Sequence, residues 1–112
     1  MTNAFVFSPE RQVKQWPATI KVAADGGKVT ELEIYLDLNL LPTDKYMDKL
    51  SEGNKALFDA ILTGFSGINA TDGSPLADTE ENRAALYQHA PFTDALLHAY
   101  RAANTGEAAR KN

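Results

Sequence analysis

From Trp16 onward apolar and polar positions alternate. Trp16, Ala18, Ile20 and Val22 fall on one side, with Thr19 and Lys21 on the other, the period-two pattern of a strand with one buried face. Asp25-Gly26-Gly27 interrupts the pattern with residues suited to a tight reversal. The alternation then resumes: Leu32, Ile34, Leu36 and Leu38 share a face opposite Glu31, Glu33, Tyr35 and Asp37. A β-hairpin over residues 16–38 follows. Pro17 cannot donate a ladder hydrogen bond, so it marks the start of the first strand or a sheet edge. Residues 1–15 lack the alternation and read as an arm, with Phe5 and Phe7 contacting a partner or covering one edge of the core.

Past Leu40-Leu41-Pro42 the period lengthens to that of helices. Thr43-Asp44 opens a helix over 43–52, with Tyr46, Met47 and Leu50 on one side and Gly53 at its end. Asn54 is placed to cap a helix over 54–65, whose stripe is Leu57, Phe58, Ile61, Leu62 and Phe65, with Gly64 weakening its last turn. Residues 66–77 predict an ordered loop with a tight turn at Asp72-Gly73, pinned by Ile68 and Leu76. Asp78 or Thr79 caps a helix over 79–89, where Glu80 and Glu81 favour the positive end of the dipole. Pro91 then starts a helix over 91–105. Its stripe of Phe92, Ala95, Leu96, Ala99, Tyr100 and Ala103 is continuous, and Gly106 closes it before a polar tail at 107–112. The expected architecture is a single α+β domain over 16–106: an N-terminal β-hairpin or small antiparallel sheet packed against about four α-helices.

Composition narrows the function classes. The chain of 112 residues is 44% hydrophobic and 23% charged, a globular balance with room for one core. Fifteen acidic residues against eleven basic ones leave a net charge of −4. That argues against a nucleic-acid partner, which needs clustered Lys and Arg, and suits a protein partner. There is no cysteine, so disulfides, thiol nucleophiles and thiolate metal sites are excluded. No apolar run reaches membrane-spanning length, and the first residues lack the basic start of a secretory signal. The expected setting is the cytoplasm.

No pattern of side chains carries a reaction. His89 and His98 straddle the helix start at Pro91 and lack the spacing of a helical zinc pair. Neither Asp25-Gly26-Gly27 nor Asp72-Gly73-Ser74 is followed by the Lys-Ser/Thr of a phosphate loop. Asp44, Asp48, Glu80 and Glu81 sit at solvent-facing helical spacings, without the apolar pocket that would set a catalytic pKa. No serine stands in a nucleophile-elbow context. A non-enzymatic protein without cofactor or metal is expected. Tyr35, on the polar face between Glu33 and Asp37, is the aromatic best placed for an exposed contact.

One stretch is distinctive in its order. Gly64-Phe65-Ser66-Gly67-Ile68 leads to Asp72-Gly73-Ser74-Pro75-Leu76, then Glu81-Asn82, Ala85-Leu86, an apolar helix and a terminal Arg110-Lys111-Asn112. This order resembles the small tail assembly chaperones of long-tailed bacteriophages. That family carries a Gly-aromatic-x-Gly segment, an Asp-Gly-x-Pro-Leu turn and a Lys-Asn end, although its usual aromatic is tryptophan where this chain has Phe65. The resemblance covers the last half of the chain well and the first half in outline. It implies a host-cytoplasmic assembly factor that binds the tape measure protein, shields its apolar stripe and passes it to the polymerising tail tube protein. Repeated copies, and hence self-association, are implied too. The groove it calls for would involve Phe92, Leu96 and Tyr100, positions that read equally well as core. Many such proteins have a longer form made by ribosomal frameshifting, and Arg110-Lys111-Asn112 can be encoded by a slippery A-AAA-AAC run. A small acidic phage or bacterial regulator or inhibitor that binds one partner stoichiometrically is the other reading of these residues.

Overall fold

In a computed structural model, which describes residues 4–107, the alternating segments form two long antiparallel strands. Strand β1 spans Arg11–Ala23 and β2 spans Val29–Leu40, joined by a short turn at Asp25–Gly27. Helices α1 (Thr43–Glu52) and α2 (Asn54–Ile61) follow, then a short strand β3 (Leu62–Ser66), and helices α3 (Glu80–Leu86) and α4 (Ala90–Thr105). The sheet order is β1-β2-β3. The α+β class and the N-terminal position of the hairpin match the sequence reading.

Several boundaries differ from that reading: β2 runs on to Leu40, α3 ends at Leu86 short of 89, and Asn54 opens α2 without capping it. Two further differences share one physical reason. Along β1, Val13 and Trp16 face Leu38 and Leu36 of β2, so three steps on one strand match two on the other. Along β3, Leu62 and Phe65 face the same Leu38 and Leu36, again three steps against two. Each is a β-bulge, an extra residue that returns apolar side chains to one face despite odd spacing. The bulge in β1 breaks the alternation before Trp16, so the strand begins at Arg11, inside the segment 1–15 read as an arm. The bulge in β3 gives Ile61, Leu62 and Phe65 a helix-like spacing, so the helix expected over 54–65 ends at Ile61.

Asp37 sits between the two bulges. Its Oδ1 accepts the Gln15 N–H at 2.8 Å, at the one non-glycine residue with positive φ among the described residues (53°). On its other side a Cβ at Gly64 would lie 2.8 Å from Asp37 Oδ2, so only glycine fits there without displacing the carboxylate.

The core lies on the face of Ala18, Ile34, Leu36, Leu38 and Leu40, covered by Leu57, Phe58, Ile61, Phe92, Leu96, Ala99 and Tyr100. The helices do not cover the whole hairpin. A 13-residue strand runs about 40 Å at ~3.3 Å per residue, against about 24 Å for the 16 residues of α4 at ~1.5 Å each. Val22 and Leu32, on the face read as buried, are therefore 41% and 53% exposed near the hairpin tip.

The remaining turns follow from local chemistry. Thr79, rather than Asp78, caps α3: its Oγ1 accepts the Asn82 N–H at 3.1 Å. Asp78 instead holds the Arg83 guanidinium through both carboxylate oxygens. Asp72 Oδ1 accepts from both N–H and O–H of Ser74, closing the turn at Gly73, while the Leu76 N–H reaches Ile68 O at 2.8 Å. Asn69 and Pro75 form an isolated bridge inside this loop. Gly106 ends α4 in the left-handed conformation, φ 80°. Residues 108–112, including the Arg-Lys-Asn end, lie outside the described residues, as do residues 1–3 of the arm.

Candidate partner-binding cleft

The three helix residues expected to form a groove are core. Phe92, Leu96 and Tyr100, one above another on α4, are 1%, 0% and 4% exposed and turn toward the sheet. The Tyr100 hydroxyl oxygen accepts the Leu41 N–H at 3.0 Å, and its ring stacks on Tyr46 with centroids 5.5 Å apart. Burial raises the Tyr100 pKa above the ordinary phenol value. In this arrangement none of the three offers a surface to a partner.

Tyr35 is half-buried on the opposite face of the sheet, paired with Pro17 on β1 and Ser66 on β3. Its O–H donates to Glu33 Oε1, and that bond, with the carboxylate's charge, raises its pKa. The structure therefore does not bring Tyr35 together with Phe92, Leu96 and Tyr100.

A different part of α4 borders open space. A cleft of about 690 Å³ lies between β1, from Trp16 to Lys21, and the outer side of α4, from Ala90 to Ala102. Its helix wall includes Pro91, Ala95, His98 and Ala102 on successive turns of α4, with Ala95 shared with the core stripe. Trp16, Ala18 and Leu97 add apolar surface, while Lys21, Glu31, Asp94 and His98 stand exposed around it. Apart from Tyr100, whose hydroxyl faces the core away from this cleft, no charged or polar side chain among the described residues is buried. The cleft can thus hold an apolar segment but places no desolvated acid, base or nucleophile against it. Its signal in the sequence was the run of small residues flanking the α4 core stripe, which spacing alone assigns to core.

The more strongly coupled polar groups lie elsewhere, where α2, α3 and β3 meet. Arg83 donates to Asp78 and, through its Nη1, to Leu62 O at 2.6 Å. Tyr87 O–H donates to Asp59 Oδ1 at 2.7 Å, Lys55 pairs with Asp59 at 2.7 Å, and the Tyr87 ring packs on Phe58. Bonding to Asp78 raises the Arg83 pKa further, and burial with the Asp59 bond raises that of Tyr87. Every member has a partner inside the fold, so the group serves to tie three elements together. His89 and His98 are exposed, and among the described residues no three His, Cys, Asp or Glu side chains are grouped to hold a metal ion. No described helix is long and apolar enough to cross a membrane.

No protein-family model, curated protein or solved structure matches this chain.

Proposed function

We propose that this protein is a non-enzymatic assembly chaperone of the phage-tail type. It holds an apolar helical segment of the tape measure protein in the β1–α4 cleft until tail tube subunits take over. The observation that carries this reading is the cleft itself: lined more by apolar than by polar surface, bordered by exposed charges, and free of buried ionisable groups. A groove of that character suits an amphipathic helix, whose apolar face it can shelter while the polar face stays wet. The net charge of −4 keeps such a module dispersed. The motif order from Gly64 to Leu86 supports the same reading. In this fold it builds β3, the Asp72-Gly73 turn and the capped start of α3.

The test is binding of a tape measure fragment carrying its apolar heptads, by co-expression and by titration. A stoichiometric complex, weakened at least tenfold by Thr93→Glu at the cleft wall, is the expected result. Stoichiometric binding to an unrelated protein, with no affinity for the fragment, would point to the regulator reading instead.

A further inference from the structure

The described arm displays its apolar side chains to solvent. Phe5, Val6 and Phe7 are 82%, 82% and 73% exposed, the highest values among the large hydrophobic residues of the described chain. They precede β1, whereas the cleft begins five residues into that strand and runs away from the arm. The arm thus does not occupy the cleft of its own chain. We propose that two copies pair by each inserting its Phe5-Val6-Phe7 segment into the β1–α4 cleft of the other.

Three observations argue for a second copy as the occupant. Extended, Phe5 and Phe7 point to the same side about 7 Å apart, so both can enter one cleft, whose lining includes Trp16, Ala95 and Ala99. Residues Ala4 to Ser8 carry no charge, so docking would desolvate no ion and leave Lys21, Glu31, Asp94 and His98 at the rim. The areas also favour a reciprocal pair. With about 150–250 Å² per aromatic side chain, one docked arm covers about 450 Å², or about 900 Å² counting both surfaces. That falls short of the ~1,200–2,000 Å² of stable interfaces, while two exchanged arms, about 1,800 Å², lie within it. Reciprocal exchange closes on itself as a two-fold dimer. It makes the arm a placeholder that a client segment must displace, so it deepens the chaperone reading while testable without any client.

The experiment is light scattering during gel filtration of the full chain over a concentration series, with Phe5→Ser/Phe7→Ser and Thr93→Glu as variants. These arm residues are exposed, and glutamate is favourable in a first helical turn; circular dichroism checks that both variants stay folded. The expected result is a concentration-dependent species of twice 12.2 kDa for the wild type, and monomers for each variant alone. A wild type monomeric at every concentration, or a dimer surviving either variant, overturns the proposal. Fragment binding by the monomeric Phe5→Ser/Phe7→Ser variant tests the chaperone reading separately, so either can fail without the other.

Discussion

Substituting Gly64 by alanine is expected to destabilise the protein only while Asp37 is present. The added Cβ would lie 2.8 Å from Asp37 Oδ2, inside contact distance, and 3.5 Å from Cγ. The carboxylate must swing aside, yet its other oxygen holds the Gln15 N–H at 2.8 Å. A hydrogen bond to a charged acceptor contributes about 1.5–3 kcal/mol, and Gln15 needs it because a side chain in the left-handed region costs about 1–2 kcal/mol. Against this, Gly→Ala reduces the freedom of the unfolded chain and stabilises by about 0.4–1 kcal/mol. Gly64 itself has no positive φ that would oppose alanine. The net is a loss of about 1–2 kcal/mol in the wild-type background, or about 4–8 °C in melting temperature per kcal/mol for a chain near this size. In an Asp37→Ala background the obstruction is gone, and the same substitution becomes stabilising by about 0.4–1 kcal/mol. Urea unfolding of the four proteins in this cycle, followed by circular dichroism, measures the coupling. Equal effects of Gly64→Ala in both backgrounds would refute the linked-bulge reasoning.

Other expectations follow from the core and the polar junction. Leu96→Ala should cost about 2–5 kcal/mol because Leu96 is fully buried. Tyr100→Phe should cost about 1–3 kcal/mol by orphaning the buried Leu41 N–H; unchanged midpoints for both would return these residues to the surface. Bonding to Arg83 holds the Asp78 carboxyl below its ordinary pKa despite partial burial. Its contribution is therefore present above the unfolded value of about 3.9 and lost as pH falls through the lower folded value. Asp78→Asn should flatten the decline in melting temperature below about pH 4, and an unaltered acid profile would contradict the pairing.

The hairpin and α4 were legible because their periods run unbroken: Leu32 to Leu38 by twos, and Phe92 to Ala103 by threes and fours. The two bulges were not. An extra residue at Lys14–Gln15 and another near Thr63 shift the spacing from two to three, and three is also a helix step. Strand β3 was thus hidden inside an apparent helix. The candidate site was half legible. The apolar stripe of α4 was recognised, but periodicity cannot say whether a stripe meets the sheet or stands open. The cleft depends on where α4 lies against β1, and that tertiary choice leaves only a weak trace in the small residues Pro91, Ala95 and Ala102.

The most direct measurement is titration of a tape measure fragment into the full chain and into Thr93→Glu, read by calorimetry. Saturable binding with a negative heat-capacity change, the mark of buried apolar surface, weakened at least tenfold by the cleft substitution, is what shelter in the β1–α4 cleft predicts. Absence of binding, or equal affinity for both proteins, would contradict it.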